Sequence, residues 1–484
     1  MSLAFATIKQ LREKLAKKEI SSPELLSYFT KRFEKFDGKL GSALEIFDQK
    51  SVLANTENNS TKEISGIPGL IKDNICQKNR IASCSSKMLE SYVSTYDATI
   101  IKKLKTDGAL LMGRANCDEF AMGSSTEYSA YKKAYNPWDI TRVPGGSGGG
   151  SAAAVAAGLA PWALGSETGG SVRLPAAFCG IVGSKPTYGL VSRYGLIAYA
   201  SSLDQIGINT RTVYDNALVL SSIAGNDKQD SSTLNVGKTD YTKNLTGKLK
   251  EGLTIGIIDN ALNAEGMDPE VKKLVQDAIA KLESLGAKIK LVKMPSMDYS
   301  AATYFIISRA EAASNLARFD GVRYGLRNTQ AKTLNEMYCQ TRKDGFGAEV
   351  KARILIGNYV LSAGHASEYY VNAQKVQILM RKELNDLFAD VDLLICPTQA
   401  APAFKIGAFD CDKLQMDLQD YFTAFVNLTG VPAISIPCGF TKEKLPVGFQ
   451  IIGPHLSEEL IFQTAYAYEQ STEWHKMHPA GYED

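Results

Sequence analysis

Histidine is scarce in this chain: the 484 residues contain four, at 365, 455, 475 and 478, so the first 364 positions have none. A hydrolase built on a Ser-His-Asp triad would have to recruit one from far along the chain, and His475-x-x-His478 reads as a solvated tail rather than a metal site, so no metal is expected. The eight cysteines, at 76, 84, 117, 179, 339, 396, 411 and 438, include no Cys-x-x-Cys pair and no zinc-like spacing. Free and mostly buried thiols in a reducing cytosol are expected, which excludes a disulfide scaffold. Charge of one sign is lacking too. Lys and Arg total 54 against 52 for Asp and Glu, a net charge of +2, too small to drive phosphate-backbone binding, so a nucleic-acid-binding scaffold is disfavoured. The longest weakly polar run, Ala152 to Gly165, is built of Ala and Gly and broken by Pro161; it falls short of the roughly 20 apolar residues a membrane helix needs. At the N-terminus, Met1-Ser-Leu-Ala-Phe-Ala-Thr is followed by Lys9, Arg12, Lys14, Lys17 and Lys18, leaving no room for a signal-peptide apolar core. The expected location is the cytoplasm, with no membrane partner.

With 44% hydrophobic and 22% charged residues, the composition is that of a folded globular protein. Leu11, Leu15, Leu25, Leu26, Phe29 and Phe33 recur at helical spacing, and Ser22-Pro23-Glu24 supplies an N-cap with Pro at the first helical position, which predicts a helical lead-in over residues 1–40. From Gly66 the pattern changes. Gly69-Leu-Ile, Ala98 to Leu104 and Ala109-Leu-Leu-Met alternate as strand, helix and strand, which argues for an α/β fold. Thr212 with Asp215 resembles a capping box opening a helix over Ala217 to Ile223. Asn226 to Lys250 reads as a polar surface excursion. Leu253-Thr-Ile-Gly-Ile-Ile then reads as a strand, and the segment opened by Asp268-Pro as an amphipathic helix. A mostly helical stretch at about 299–387 interrupts the alternation before the strand-like Val391-Asp-Leu-Leu-Ile-Cys and Ala433-Ile-Ser-Ile-Pro.

The chemistry concentrates in two glycine-serine elements, Gly145-Gly-Ser147-Gly-Gly-Gly-Ser151 and Gly165-Ser-Glu-Thr168-Gly169-Gly170-Ser171-Val-Arg-Leu-Pro, joined by an Ala-rich helix. Glycines before a helix let backbone N–H groups converge on an anion or a carbonyl oxygen. Read as a phosphate loop, the first element lacks the Lys-Ser or Lys-Thr pair of a Walker motif. It matches G-x-S-x-G, but a nucleophile elbow needs a histidine, and a flexible surface loop is the bland reading. The base is supplied differently if Lys72, at the end of the apolar strand Gly69-Leu-Ile, is partly buried and so lowered toward a neutral amine. A Ser-Ser-Lys arrangement then becomes possible without histidine.

Taken together, Gly-Gly-Ser147-Gly-Gly-Gly-Ser, Gly-Ser-Glu-Thr-Gly-Gly-Ser171-Val-Arg-Leu-Pro-Ala-Ala and Lys72 in Ile-Lys-Asp-Asn resemble the pattern of the amidase signature family, over roughly Ile64 to Glu469. Glu119-Phe-Ala-Met-Gly-Ser-Ser-Thr-Glu127, Asn315-Leu-Ala-Arg-Phe-Asp-Gly-Val-Arg-Tyr-Gly325 and Asn427-Leu-Thr-Gly-Val-Pro are similar to the branch that serves as A subunits of glutamyl-tRNA(Gln) amidotransferases. The resemblance implies one domain over 1–484, an extended mixed β-sheet sandwiched between α-helices, with a core over 64–469 and a helical insertion at about 299–387. It implies Ser171 as nucleophile, Ser147 as a bridging serine after a cis peptide at Gly146, and Lys72 as base. The backbone N–H groups of Thr168, Gly169, Gly170 and Ser171 would form the oxyanion hole. Arg353 and Asp420 would hold the carboxylate and ammonium of glutamine, with Tyr304 beside them. Phe425 departs from the pattern, where a smaller residue or proline is expected, and puts the local helix in doubt. The implied function is a glutaminase subunit that frees ammonia for a partner, which amidates glutamate on tRNA(Gln) or aspartate on tRNA(Asn). The implied partners are B and C subunits, with misacylated tRNA met through the complex. No cofactor is expected in this chain, ATP and magnesium belonging to the partner. A stand-alone amidase acting on small amides and a Gly-loop nucleotide-binding protein are the alternatives.

Overall fold

The computed structural model describes residues 3–57 and 61–484; Met1 and Ser2, part of the segment read as lacking a signal peptide, lie outside the described residues. Eleven strands form one mixed sheet: β1 (Ala43–Ile46), β2 (Pro68–Lys72), β3 (Leu110–Ala115), β4 (Trp162–Glu167), β5 (Val182–Lys185), β6 (Gln205–Thr210), β7 (Thr254–Ile258), β8 (Lys288–Val292), β9 (Leu393–Pro397), β10 (Ala433–Phe440) and β11 (Pro446–Ile452). Their spatial order is β1-β3-β2-β4-β6-β5-β10-β11-β9-β7-β8. The parallel pairs follow from crossover helices: Thr99–Thr106 returns the chain from β2 to β3, and Pro269–Ser284 from β7 to β8. Antiparallel pairs join β4 to β6, β6 to β5, β5 to β10, β10 to β11 and β11 to β9.

Both faces of the sheet are covered, and the period-2 alternation of side chains decides which residue serves which face. Leu393, Ile395, Ile434 and Ile451 point into an apolar layer shared with Leu25, Phe29, Val219, Val275 and Phe462. Their neighbours Leu394, Cys396, Ala433 and Ile452 point into the opposite layer, with Tyr304, Ile307, Ile354, Met380 and Leu384 of the helical segment. That segment comprises the helices Ser300–Asn315, Leu334–Gly345, Ala348–Leu361 and Tyr370–Asp390, in agreement with the sequence. The polar stretch 226–250 carries no regular element.

Four readings are corrected by side-chain detail. The helix Ser22–Leu40 is capped by Ser21, not Ser22: Ser21 Oγ accepts from Glu24 N, and Glu24 reaches back to Ser21 N. Thr212 does cap the helix Val213–Ile223, but the Asp215 carboxylate accepts from Ile8 N at 3.0 Å, tying the N-terminal helix Ile8–Ala16 to the core. The C-terminal histidines are not a solvated tail. His478 stacks on Phe5 with ring centroids 4.0 Å apart, and the His475 carbonyl accepts from Arg211. Phe425 is fully buried inside the regular helix Ala424–Thr429, which ends at Gly430 with φ +79°. Six of the eight thiols are buried, Cys339 and Cys411 being exposed. Among the described residues no helix is long and apolar enough to cross a membrane, and no group of three or more acidic, His or Cys side chains could hold a metal ion.

Candidate active site

Strands β2, β3 and β4 run parallel to one another, so their carboxyl ends lie on one edge, where the loops leaving an α/β sheet converge. β2 ends at Lys72 and β4 at Glu167. Lys72 is completely buried, more than the sequence implied. Its Nζ donates to Ser147 Oγ at 2.7 Å and to the Ser166 carbonyl at 3.0 Å. Burial lowers its pKa, opposed by the Cys117 thiol and by Asp118 and Asp204. A carbonyl as second acceptor does not neutralise an ammonium, so the environment favours a proton-accepting amine more than a strand end in water would.

The first glycine loop brings Ser147 over this amine. The Gly146–Ser147 peptide is cis, and the Ser147 carbonyl accepts from Asp118 N at 3.1 Å. A Cβ at Gly146 would lie 2.3 Å from both Asp118 Oδ2 and Ser125 N, so only glycine lets the loop approach this closely. Asp118 in turn accepts from Thr126 N and Tyr128 N, folding the 118–128 segment beneath the loop; burial raises its pKa to about 6. The N–H groups of Gly148 and Gly149 are taken by the Ser171 carbonyl and Thr126 Oγ1. A loop whose amides bond the protein itself offers them to no phosphate, which counts against the nucleotide-binding reading.

Ser171 stands opposite, drawn in by the 3.1 Å bond from Gly148 N to its carbonyl. Its loop is framed by a fully buried ion pair: Glu167 accepts from Val172 N and Arg173 N at 3.0 Å each and from Arg173 Nε at 2.8 Å. Arg173 also donates to the Thr423 carbonyl and to Asn427 Oδ1. A buried pair with its remaining donors satisfied is rigid, because any shift would strand a charge. Within this frame the N–H groups of Gly169, Gly170 and Ser171 have no acceptor among the described residues. Free amides in the same loop as a serine are suited to a developing oxyanion.

The three residues assigned to the amino-acid substrate come from elements distant in sequence. Tyr304, on the helix Ser300–Asn315, packs its ring on Gly169, where a Cβ would lie 2.6 Å from Cζ. Asp420 lies against Gly170, where a Cβ would be 2.7 Å from its Oδ1 and 2.3 Å from Thr423 Oγ1. Asp420 Oδ2 accepts from Ser124 Oγ at 3.1 Å, but Oδ1 is buried with no partner among the described residues. Burial raises the pKa of this carboxyl to about 7, against the pull of Ser124 and Arg353. Arg353, on the helix Ala348–Leu361, donates through Nη1 to Tyr199 Oη at 2.7 Å and through Nε to Glu349 at 2.9 Å. The structure therefore brings together all the residues singled out in the sequence. Ser124, Asp118, Tyr199, Asp204, Glu167 and Arg173 were missed as parts of the site. Glu167 and Arg173 carried a signal, lying within the second glycine-serine element, and so did Ser124, within Glu119 to Glu127.

Known proteins resemble this chain over nearly its whole length. The pattern describing the family Amidase matches residues 24–462, beginning inside the helix Ser22–Leu40 and so earlier than Ile64, where the motif resemblance starts. The A subunit of the glutamyl-tRNA(Gln) amidotransferase of Cyanothece sp. is 49% identical over 482 residues, covering 98% of this chain and 99% of the relative. Its counterpart of the same name in Bacillus licheniformis is 49% identical over 486 residues, covering 99% and 100%. The crystal structure of the corresponding protein from Thermotoga maritima superposes with a TM-score of 0.84 at 40% identity, covering 99% of this chain and 98% of that one.

Proposed function

The chain belongs to the amidase family, and from that premise we propose that it is the glutaminase component of a tRNA-dependent amidotransferase. It hydrolyses glutamine and supplies the ammonia to a partner that amidates glutamate on tRNA(Gln), or aspartate on tRNA(Asn). The observation that carries the chemistry is the buried hydrogen bond between Lys72 and Ser147, which leaves no role for a histidine. The relatives that match from end to end, both of them A subunits, support the choice of substrate and of complex.

In this mechanism Ser171 Oγ attacks the amide carbon of glutamine while its proton passes to Ser147, whose own proton passes to Lys72 Nζ. The carbonyl oxygen becomes an oxyanion held by the N–H groups of Thr168 to Ser171. On collapse the C–N bond breaks, and the proton returns from Lys72 through Ser147 to the departing nitrogen, leaving ammonia and an acyl-Ser171. Water, deprotonated by the same relay, then attacks the ester and releases glutamate. Arg353 takes the substrate carboxylate in a charge-assisted contact. The unpartnered Oδ1 of Asp420 takes the ammonium. ATP and magnesium are used by the partner, the B and C subunits complete the complex, and the reaction takes place in the cytoplasm.

Glutamine turnover by Ser171→Ala, Lys72→Ala and Ser147→Ala variants tests the reading. Each is expected to lose at least about 1000-fold while circular dichroism and melting stay close to the unaltered chain, because the parts of a relay act as a unit. Near-normal turnover by Lys72→Ala would refute the lysine mechanism. A chain that turns over small uncharged amides but not glutamine would return the protein to the stand-alone amidases.

A further inference from the structure

One set of hydrogen bonds joins the two halves of this site and includes none to Lys72, Ser147 or Ser171. Asp204 stands immediately before β6, and Thr168 immediately after β4, at the end of the antiparallel ladder that pairs Glu167 with Gln205. Across this end Thr168 Oγ1 donates to Asp204 Oδ1 at 2.7 Å. The other carboxylate oxygen, Oδ2, accepts from Tyr199 N at 2.8 Å and Ala200 N at 3.0 Å. Asp204 N also bonds the Ala200 carbonyl, closing residues 200–204 into a tight turn. The hydroxyl of the same Tyr199 accepts from Arg353 Nη1, and the Arg353 guanidinium lies 5.6 Å from the Tyr199 ring centroid. Arg353, Tyr199, Asp204 and Thr168 are each at most 4% exposed.

From this continuous path we propose that Asp204 is a positioning residue that fixes the oxyanion loop relative to the arginine that grips the substrate carboxylate. The assignment rests on the glutaminase reading for the role of Arg353, but not for the role of Thr168. The physical reason is spacing. A scissile amide held at its carboxylate end can meet the N–H groups of 169–171 only if the distance between grip and loop is constant. Neither the helix Ala348–Leu361 nor the loop 168–171 touches the other through regular secondary structure. Asp204 bridges them with three hydrogen bonds to one buried carboxylate. Such bonds to a charged acceptor are short and directional, so a shift of either neighbour would leave a buried donor or the charge unsatisfied.

Steady-state kinetics of the purified protein, with the subunits that copurify with it, test the bridge on glutamine and on butyramide, an uncharged amide. Thr168→Val removes the hydroxyl at constant shape and is expected to lower kcat about tenfold on both amides, since a displaced oxyanion donor costs less than the 100-fold or more of a deleted one. Tyr199→Phe is expected to raise the KM for glutamine more than the KM for butyramide. Asp204→Asn is expected to do both, and the double variant with Thr168→Val is expected to be no slower on butyramide than Asp204→Asn alone, because both substitutions break one contact. Multiplying losses in that pair would overturn the proposal, as would an Asp204→Asn variant with unchanged kcat. Should Asp204→Asn fail to fold, the pair Thr168→Val and Tyr199→Phe decides the matter on glutamine: non-multiplying effects on kcat/KM are expected, and strictly independent ones refute the bridge. A chain inert toward glutamine but active on butyramide would remove the glutaminase reading and leave the Asp204–Thr168 pair still to be judged on butyramide.

Discussion

The unpartnered oxygen of Asp420 makes a pH experiment the sharpest test of substrate choice. Burial lifts this carboxyl to about 7, and only its ionised form can bind the ammonium of glutamine. A raised carboxyl is charged above its pKa and neutral below it. Glutamine use through Asp420 is therefore intact well above pH 7 and falls as pH drops through 7. About one unit below the pKa only about a tenth of the chains are competent, so kcat/KM is expected to fall about tenfold per pH unit there. Lys72 must be neutral to accept a proton, so its titration depresses activity in the same direction, but on every amide alike. The quantity to measure is therefore the ratio of kcat/KM for glutamine to that for an uncharged amide, from pH 8 to pH 5.5. The ratio is expected to be flat at the alkaline end and to fall about tenfold per unit below about 7. Asp420→Asn keeps the shape and Ser124 as a neighbour but removes the charge. It is expected to abolish the acid limb and lower the ratio at pH 8 by about 10- to 100-fold, the value of one hydrogen bond to a charged group, about 1.5–3 kcal/mol. A ratio that is flat across the whole range, or that keeps its acid limb in Asp420→Asn, would refute the assignment of Asp420 to the ammonium.

Arg353→Ala is expected to raise the KM for glutamine far more than that for an uncharged amide, and parallel kinetics showing equal losses on both would remove the carboxylate role. Gly170→Ala is expected to abolish turnover without unfolding the chain, because its Cβ would meet Thr423 Oγ1 at 2.3 Å and Asp420 Oδ1 at 2.7 Å; an active variant would show that the loop is not held as described. Arg173→Met leaves Glu167 as an unpaired buried charge, and a loss of about 3–5 kcal/mol is expected by denaturant unfolding, an unchanged midpoint contradicting the frame. The lone chain, with a net charge of +2, is expected to bind tRNA weakly, and tight binding that collapses between about 50 and 200 mM salt would place the tRNA contacts here instead.

The three parts of the proposed relay stand out in the sequence because each sits inside a local motif: a lysine closing an apolar strand, and two serines among glycines. Such motifs encode their own backbone, since glycine is what permits Gly146 and Gly170 to approach their neighbours, and β2 announces itself by the apolar run Gly69-Leu-Ile; β4 was not read as a strand. The α/β alternation, the polar excursion at 226–250 and the helical insertion were legible for the same local reason. The error at Asp215 was local in form and tertiary in cause: it looks like a capping residue three positions after Thr212, yet its carboxylate is claimed by Ile8 N, more than 200 positions away in the chain.

What the sequence offers by itself is therefore the proposed chemistry: the side chains assigned to the relay, with no histidine among them. Their environment was decided only by the tertiary structure. Lys72 is lowered because β2 lies in the interior of an eleven-stranded sheet, and Asp420 reaches about 7 because packing buries it. Tyr199, Asp204 and Thr168 come together because the antiparallel pairing of β4 with β6 sets one strand's end beside the other's beginning. Burial and contact between distant elements are properties of packing, and no spacing along the chain encodes them.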